Sequence, residues 1–578
     1  MNTPPIIGID LGTTNSEVAF VHETRPEILR DGDDGILPSC VGVDDDGRLI
    51  VGTTARNQAV AYPERTVLSV KREMGKEKEI PLAEKRYTPQ EISALILKEL
   101  KEKAEKIMGR GVGHAVITVP AYFTDAQRQA TKEAGAIAGL EVVRIINEPT
   151  AAALAYEGSH AGDERRTILV YDLGGGTFDV SIVQIEDRVV EVLASTGDNR
   201  LGGDDFDERI IQWLVRELKQ QHHLDVTENR AVMARLKSCA EKAKVELSQA
   251  ATTRIEADHI AEDIHLSVAL TREAFEGMIR EEIDRTMQSV TKALQDAGIT
   301  PGDIDRILLV GGSSRIPMIS NMLKDKLKID PSKEIDPDLC VALGAGIQAA
   351  REMGIDTSGV LIDITPYTFG TSAAEFNDEG LDPHVFVPLI KRNTKLPVSH
   401  TETFYTMVDN QDLALIQVFQ GEESNALDNI LIGSYRFDLS NSEAGSMITL
   451  KYDLDLNGIL KLEAVEKETG RTLNAVIDNV FACEDPDRVR TSQEKINGFS
   501  SMGAAAKPGK AHSGEDTIPP DITDTLTLAR EKLDVASKED QDEIIDLMEE
   551  ITDAVEDKNF EKARIICDEL EDLLFYID

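Results

Sequence analysis

The chain has 578 residues, and at about 150 residues per domain this length predicts three or four domains. Its 62 basic and 105 acidic residues give a net charge of −43 at pH 7. Because such a surface repels phosphate backbones and anionic lipids, we expect neither a nucleic-acid partner nor a membrane partner. A hydrophobic fraction of 41% is enough to build a core in each domain, which excludes disorder throughout the chain.

The cysteines and the first residues indicate a reducing compartment. The five cysteines are scattered without a CxxC pair or a metal-binding spacing, at Cys40, Cys239, Cys340, Cys483 and Cys567. No basic targeting segment precedes the first apolar stretch, and no run reaches the roughly 18–20 apolar residues that span a bilayer. We therefore predict a cytoplasmic protein.

Residues 1–358 alternate short apolar strands with long amphipathic helices, which is the pattern of an α/β domain. The clearest predicted strands are Ile6–Ile9, His114–Val119, Thr167–Tyr171 and Arg306–Val310. The clearest predicted helices are Pro89–Ile107, Thr124–Ala138, Asp205–Gln220 and Arg230–Ser248.

A short apolar connector over 359–364 follows this domain. Its central residues are Val360, Leu361, Ile362 and Asp363. Apolar residues in a connector have two interpretations: they form the first strand of the next domain, or they dock on the domain before it. Beyond the connector, residues 365–490 contain alternating runs such as Ala414–Gln420 and Met447–Leu454, which predict an antiparallel β-sandwich.

The C-terminal region changes composition twice. Residues 491–520 are rich in Gly, Ala, Ser, Lys and Pro, which predicts a flexible linker. Residues 521–578 return to helical periodicity, with 20 acidic and 6 basic residues and a turn at Asp557–Asn559, and they predict a short acidic helical hairpin. A solvated charged face explains this acidity more simply than a recognition tail does.

The strongest chemical signal is an internal duplication. The run Ile9-Asp10-Leu11-Gly12-Thr13-Thr14 is repeated as Tyr171-Asp172-Leu173-Gly174-Gly175-Gly176-Thr177. Each copy places an aspartate at the end of a strand, then Gly and Thr in a tight turn whose N–H and hydroxyl groups can hold phosphate oxygens. The two aspartates are placed to hold a hydrated Mg²⁺, and Asp179 adds a third carboxylate by alternation along the returning strand. A single Asp-Leu-Gly is usually an ordinary hairpin turn, but two copies in one α/β region favour a nucleotide site.

A third glycine turn follows the strand at 306–310. In Gly311-Gly312-Ser313-Ser314-Arg315, the backbone can lie against a flat base while the guanidinium stacks on it. The alternative is a plain connection from strand to helix. Its position in the second half of a duplicated phosphate site favours the base-binding interpretation.

These motifs are specific enough to indicate a family. The runs Ile9–Ser16, Val119-Pro120-Ala121-Tyr122-Phe123, Ile146–Ala153 and Asp172–Asp179 resemble the heat-shock protein 70 (DnaK) chaperone family over residues 6 to about 466. The run Lys71–Gly75 and the short tail are most similar to the HscC branch. The resemblance implies an actin-like, two-lobed α/β ATPase, followed by an antiparallel β-sandwich that binds peptides and a short C-terminal helical hairpin.

Matched residue by residue, the resemblance implies a nucleotide site for ATP or ADP with Mg²⁺ and, as a further candidate ion, K⁺. The metal residues would be Asp10, Asp172 and Asp179. The phosphate-binding residues would be Gly12, Thr13, Thr14, Asn15, Gly174, Gly175, Gly176, Thr177, Gly202 and Gly203. The adenosine-binding residues would be Glu241, Lys244, Ser248, Gly311, Gly312, Ser313 and Arg315. From spacing alone, the first three of these are simply one solvated helix face.

The resemblance also implies the catalytic and coupling residues. Lys71 would orient the attacking water and offset the developing charge at the γ-phosphate, although a lysine in a basic pair is usually a surface residue. Glu148 and Pro120 would report the nucleotide state, although an acid before a proline also suits a helix start. Arg128 would lie on the lobe surface near the interdomain contact. The connector residues Leu361, Ile362 and Asp363 would dock on the ATPase domain when ATP is bound.

By the same alignment, a peptide-binding cleft would be lined by seven residues of the β-domain: Thr371, Ala374, Phe404, Met407, Gln411, Ala414 and Ile416. Two of them depart from the family, because Thr371 replaces an apolar residue and Ala414 a larger one. A wider pocket would accept a larger anchor, worth about 1.5–3 kcal/mol. The alternative is that these positions belong to the core of the sandwich.

The sequence therefore predicts an ATP-dependent chaperone for extended apolar segments of unfolded proteins. A J-domain co-chaperone is implied by the resemblance, and a nucleotide-exchange factor is left open. The short helical tail predicts fast peptide exchange even with ADP. Three alternatives remain at this point: a small-molecule kinase of the same superfamily, a holdase with a vestigial ATPase domain, and an actin-like filament protein.

Overall fold

The computed structural model describes residues 4–22, 25–32, 35–159, 164–261, 264–332, 334–355, 357, 360–377, 380–476 and 486–504. Six single positions of the C-terminal region are also described, at Thr525, Leu547, Ile551, Ile566, Cys567 and Leu570. The chain divides into two compact units, Met1–Ala504 and Ala505–Asp578. The elements below all belong to the first unit.

Lobe I, residues 4–159, contains eleven strands and four helices among the described residues. The strands are β1 (Ile6–Leu11), β2 (Asn15–His22), β3 (Arg25–Ile28), β4 (Ile36–Pro38), β5 (Cys40–Val43), β6 (Leu49–Val51), β7 (Thr66–Leu68), β8 (Ile80–Leu82), β9 (Lys85–Tyr87), β10 (His114–Val119) and β11 (Glu141–Asn147). The helices are α1 (Thr53–Gln58), α2 (Pro89–Met108), α3 (Asp125–Ile137) and α4 (Glu148–Ser159). The main sheet has the order β11-β10-β1-β2-β3, with β4 also paired to β2.

Lobe II, residues 164–355, and the strand that follows it repeat this plan. The strands are β12 (Arg166–Leu173), β13 (Phe178–Glu186), β14 (Val189–Asp198), β15 (Thr252–Ala261), β16 (Ile264–Thr271), β17 (Arg306–Val310) and β18 (Val360–Ile362). The helices are α5 (Gly203–His222), α6 (Arg230–Gln249), α7 (Arg272–Met278), α8 (Arg280–Asp296), α9 (Pro317–Leu327) and α10 (Cys340–Glu352). The main sheet has the order β17-β12-β13-β14-β18.

The two main sheets repeat one arrangement around their central strands. Strand β1 is antiparallel to β2 and parallel to β10, and β12 is likewise antiparallel to β13 and parallel to β17. The duplicated motif therefore occupies equivalent places in two mixed sheets. The predicted α/β region and its four clearest strands are confirmed. The long helices lie within two residues of their predicted bounds.

Helix α2 illustrates how local sequence sets an element. Thr88 accepts a hydrogen bond from Glu91 N, and the Glu91 carboxylate accepts one from Thr88 N, a reciprocal cap followed by Pro89 at the first helical position. Gly109 ends the helix with φ of 65°, a left-handed conformation that glycine adopts without strain. Its apolar face then packs into the core of lobe I.

The β-domain consists of two four-stranded antiparallel sheets with one core between them. The strands are β19 (Phe369–Asn377), β20 (Gly380–Ile390), β21 (Val398–Tyr405), β22 (Gln411–Gln420), β23 (Ile430–Ser442), β24 (Met447–Leu454), β25 (Leu460–Glu466) and β26 (Thr472–Val476). One sheet has the order β20-β19-β22-β23 and the other β21-β24-β25-β26. Both sheets contribute to a single cluster that includes Val418, Phe437, Tyr452 and Leu462.

The connector forms strand β18 on lobe II. It pairs in parallel with β14, with Leu361 opposite Val190. Of the two interpretations that the sequence left open, docking on the preceding domain is therefore the one found.

The region after the β-domain differs from the sequence prediction. A flexible linker was expected over 491–520, but residues 491–504 belong to helix α11 (Pro486–Ala504). The cause is tertiary, because Ile496 is only 1% exposed and Val489 packs beside it in the core of lobe I. The predicted hairpin over 521–578 lies outside the described residues apart from the six single positions. No helix within the described ranges is long and apolar enough to cross a bilayer.

Candidate functional site

A cavity of about 400 Å³ lies between the lobes where the two duplicated strands end. Most of the predicted nucleotide residues line it: Asp10, Gly12, Thr13, Thr14, Asn15, Lys71, Glu148, Asp172, Gly174, Gly175, Thr177, Glu241, Lys244, Ser248, Gly311, Gly312, Ser313 and Arg315. Four predicted residues do not line it, namely Gly176, Asp179, Gly202 and Gly203. The cavity is thus built by residues from both copies of the motif.

Three carboxylates lie at or just behind the cavity wall: the half-buried Asp10 and the buried Asp172 line the cavity, and the buried Asp179 does not. Asp172 and Asp179 are directly opposite each other in the β12–β13 pair, and Asp10 ends the matching strand of lobe I. Burial and then the charge of Glu148 raise the pKa of Asp10 to about 7 and that of Asp179 to about 7. Burial, with Glu148 and Asp179, also raises the pKa of Asp172 well above its usual range. The group therefore carries more negative charge than its surroundings neutralise.

The residues present fit a hydrated divalent cation. Asp172 Oδ2 is buried and has no hydrogen-bond partner among the described residues, whereas Asp10 accepts from Thr118 Oγ1 at 2.6 Å and Asp179 from Tyr122 N at 3.0 Å. No three His, Cys, Asp or Glu side chains in the described ranges converge as direct metal ligands. Mg²⁺ usually keeps several of its waters when it is bound beside phosphates, and carboxylates set back from the ion suit that mode.

Lys71 supplies the buried positive charge of the site. It lies in a 3₁₀ turn over Val70–Glu73, is 4% exposed, and its Nζ donates to Glu148 Oε1 at 2.5 Å. Glu148 is itself buried at the start of α4. The pair is therefore held on the lobe I wall of the cavity, which both residues line.

Gly175, Gly176, Gly202 and Gly203 of lobe II let several backbone segments approach each other. A Cβ on Gly175 would lie 2.0 Å from Thr14 Oγ1, and a Cβ on Gly202 would lie 2.4 Å from Gly176 N. Gly203 N donates to Gly174 O at 3.0 Å, which ties the N-terminus of α5 to the Gly174–Gly176 turn. Gly176, Gly202 and Gly203 thus act one layer behind the cavity wall, where any side chain would push the turn out of place.

The outer end of the cavity has a different lining. On helix α6, Lys244 Nζ donates to Asp207 Oδ2 at 2.8 Å and to Gly203 O at 3.0 Å. Across from it, Arg315 NH2 donates to Asp336 at 2.8 Å and to Asp338 at 2.7 Å, so the guanidinium plane is held beside the Gly311–Gly312 turn. Both cationic side chains at this end are thus held in place by carboxylates.

A buried chain of polar contacts leads from this site to the connector. Arg128 NH2 donates to Ala121 O at 3.0 Å, next to Pro120, and to Asn147 Oδ1 at 2.7 Å. Asn147 Nδ2 in turn donates to Asp363 Oδ2 at 2.9 Å. Because Asn147 directly precedes Glu148, one short segment joins the partner of Lys71 to Asp363, the residue directly after β18.

Comparison with known proteins agrees with this site. The family model for Hsp70 protein matches residues 6–577. The chain belongs to the Hsp70 family. It is 40% identical over 579 residues to a protein named chaperone protein DnaK from Thermotoga neapolitana, covering 98% of this chain and 95% of the relative. Its namesakes from Thermotoga maritima and Thermosipho melanesiensis are each 40% identical at the same coverage, over 580 and 583 residues.

Membership of the Hsp70 family decides between the alternatives left by the sequence. Hsp70 proteins are chaperones and ATPases, so the chain is an ATPase, and the kinase, vestigial-ATPase and filament interpretations fall away. The β-rich C-terminal region and the mixed-sheet ATPase domain of the family are both present here.

Sequence reasoning missed Arg56, Asp205 and Glu17 as site residues of this Hsp70, although it named Glu241, the partner of Arg56. Arg56 of α1 pairs with Glu241 of α6, and Arg72 NH2 donates to Asp205 Oδ1 at 3.0 Å. Glu17 lines the cavity but belongs to neither glycine turn. The residues of the first pair are 185 positions apart in the chain and those of the second pair are 133 apart, so no local sequence pattern predicts either contact. Glu17 could have been found from the sequence, because an acidic residue among the apolar residues of a buried strand indicates a functional role.

The seven predicted peptide-contacting positions fall into two groups. Four belong to the core of the sandwich or pack against it: Thr371 and Ile416 are buried, and Phe404 and Ala414 are half-buried. Thr371 Oγ1 donates to Gln417 O at 2.7 Å, which satisfies its hydroxyl inside the sheet. Met407, at 45% exposure, and Ala374 are accessible, and Gln411 accepts from Met407 N at 3.0 Å.

Proposed function

We propose that this Hsp70 binds and releases extended apolar peptide segments of unfolded proteins, and that ATP binding and hydrolysis control the release. The observation that carries the proposal is the pairing of β18 with β14, together with the hydrogen bond from Asn147 to Asp363. The connector between the domains is thereby anchored to the segment that carries the partner of Lys71. A change at the nucleotide then has a short physical route to the β-domain.

At the nucleotide site, Thr13, Thr14 and the Gly174–Gly176 turn would bind the phosphates, and Asp10, Asp172 and Asp179 would hold the hydrated Mg²⁺. The cation supplies charge stabilisation at the β- and γ-phosphates when bound. Lys71, fixed by Glu148, would orient the attacking water, and the hydroxyl of Thr177 would bind next to it. K⁺ remains a further candidate ion for this acidic cavity.

The contacts between the β-domain and the ATPase domain support the coupling. Ile145 N donates to Asn457 Oδ1 at 3.0 Å, in the turn that precedes β25, and Arg392 NH2 donates to Asp296 Oδ1 at 2.7 Å. Tyr367 OH donates to Tyr122 O at 2.8 Å. We assign this docked arrangement to the ATP-bound form, in which the peptide site is open.

Further features of the proposal are inferred from the sequence alone. They are an HscC-like specialisation, a widened peptide pocket at Thr371 and Ala414, and a J-domain partner that accelerates hydrolysis. The proposed domain boundaries, at residues 358, 364, 490 and 520, also come from the sequence. The accessible position of Met407 and the half-buried position of Ala414 are compatible with a peptide site near the edge of the sandwich.

The decisive experiment measures the dissociation rate of a labelled extended apolar peptide in ATP and in ADP. We expect faster release in ATP for the wild type. Leu361→Asp, at a residue packed against the core between the lobes, should abolish the difference, whereas Val360→Asp, at a residue 60% exposed on the same strand, should preserve it. Equal release in both nucleotides by the wild type would refute the coupling, and a failure to bind peptide would refute the chaperone site.

A further inference from the structure

Glu17 is a buried carboxylate at the inner end of the nucleotide cavity that the duplicated motif does not account for. It is 2% exposed and lines the cavity together with Asp10 and Asp338. Among the described residues no donor forms a hydrogen bond or ion pair with it. A charge buried without a partner is costly, so such a group is expected to meet a counter-charge when the site is filled.

The register of the two sheets shows what Glu17 corresponds to. In lobe II, Asp179 lies directly opposite Asp172 in the β12–β13 hairpin. In lobe I, Glu17 lies directly opposite Asp10 in the β1–β2 hairpin. Each pair is seven residues apart in sequence, and directly opposed residues of an antiparallel pair project from the same face. Glu17 is therefore the lobe I equivalent of Asp179.

The equivalence is closer in position than in surroundings. Asp179 already accepts a hydrogen bond from Tyr122 N and does not line the cavity, whereas Glu17 lines it and accepts none from the described residues. The buried ammonium group of Lys71, which lines the same cavity, is engaged by Glu148 at 2.5 Å. Glu17 is thus, with Asp172 Oδ2, a carboxylate of the two hairpins that lines the cavity and is available to a ligand.

We propose that Glu17 is an additional carboxylate for the hydrated divalent cation that accompanies the nucleotide, binding one of its water molecules beside Asp10. The inference rests on the proposed nucleotide site and adds a residue to it. A water-mediated contact requires no convergence of side chains on the ion itself. The expected cost of removing such an outer contact is about 10-fold in metal affinity.

The test measures binding without turnover. Mn²⁺ replaces Mg²⁺, and free Mn²⁺ is followed by electron paramagnetic resonance during titration of the ADP complex of the full chain. Glu17→Gln should weaken Mn²⁺ binding about 10-fold, while the affinity for ADP in the presence of a chelator stays the same or rises, because a negative charge near the phosphates is gone. Glu157→Gln, a buried glutamate of α4 that faces Arg351 away from the cavity, is the matched control and should leave both affinities unchanged.

Three other outcomes are possible, and each of them refutes part of the proposal. Equal Mn²⁺ affinity in wild type and Glu17→Gln refutes the role of Glu17 and leaves the nucleotide site intact. Equal weakening in Glu17→Gln and Glu157→Gln refutes it as well, since the effect would then follow from any lost buried charge. A wild-type chain that binds ADP with no Mn²⁺ dependence refutes the metal site as a whole.

Discussion

Replacing Ile496 by Ala should release helix α11 from lobe I. The Ile496 side chain is 1% exposed and inserts into the core of lobe I beside Val489, although it lies far along the chain from every other member of that core. Burial of such a side chain is worth about 1.5–3 kcal/mol, and removing most of it costs roughly 2 kcal/mol. Since 1.4 kcal/mol is a factor of ten, the docked fraction should fall about 30-fold relative to the undocked one.

Polar contacts along the same helix set the limit of this effect. Lys495 Nζ donates to Glu91 Oε2 at 2.6 Å, Ser492 Oγ to Glu91 Oε1 at 3.0 Å, and Gln493 Nε2 to Ala136 O at 2.8 Å. These contacts remain in the variant, so α11 should still dock part of the time. The expected result is thus a graded loss of docking and not an unfolded protein.

The assay is amide hydrogen exchange of α11 in the presence of ATP. Protection in Ile496→Ala should fall about 30-fold on the estimate above, with the strands of lobe I unchanged. Arg490→Ala, at a side chain 69% exposed on the same helix, is the matched control and should change protection little. Unchanged protection in Ile496→Ala, or an equal loss in Arg490→Ala, would refute the argument that burial of this one side chain holds the helix.

Three further predictions concern the nucleotide site and the β-domain. Lys71→Met should reduce steady-state ATP turnover at least 100-fold, in the range for removal of an electrostatic group, while ADP affinity measured by calorimetry changes little. Arg72→Ala should raise KM for ATP more than it lowers kcat, because it removes the Nη2 group that donates to both carboxylate oxygens of Asp205, at 3.0 and 3.1 Å, and so joins lobe I to the start of α5; unchanged kinetics would contradict this positioning role. Burial opposes ionisation of Glu466, but hydrogen bonds from neighbouring hydroxyl and amide groups lower its pKa from 4.5 to about 2. Its contribution to the free energy of unfolding should therefore be complete above pH 4.5 and lost as the pH falls to about 2, a dependence that denaturant titrations should find weakened in Glu466→Gln.

The duplicated motif could be recognised from the sequence because all the residues of each copy lie close together in the chain. Asp10 and Asp172 each end a strand and are followed within a few residues by the Gly and Thr of the turn, so one window of sequence contains the whole unit. Helix bounds were predictable for the same reason: the Thr88 cap and Gly109 stop lie at the ends of α2 itself.

The features that the sequence did not predict depend on contacts between residues that are distant in the chain. Residues 491–504 have the composition of a linker, but they are helical because the Ile496 side chain is buried in the core of lobe I. The pair Arg56–Glu241 joins elements 185 residues apart. The place of Thr371 inside the sandwich depends on its bond to Gln417 O, which alternation along one strand cannot reveal.

The length of β18 has a consequence for how readily this protein can change state. The strand pairs with β14 over only three residues, Val360, Leu361 and Ile362. At about 0.5–1.5 kcal/mol net for each backbone hydrogen bond, the ladder holds the connector by only a few kcal/mol. In the proposed coupling, a ligand that favours the undocked state has to overcome this short ladder together with the packing of Leu361 and the hydrogen bond to Asp363. A strand of seven or eight residues would add several backbone hydrogen bonds, and the connector would then stay paired with β14 whichever nucleotide is bound.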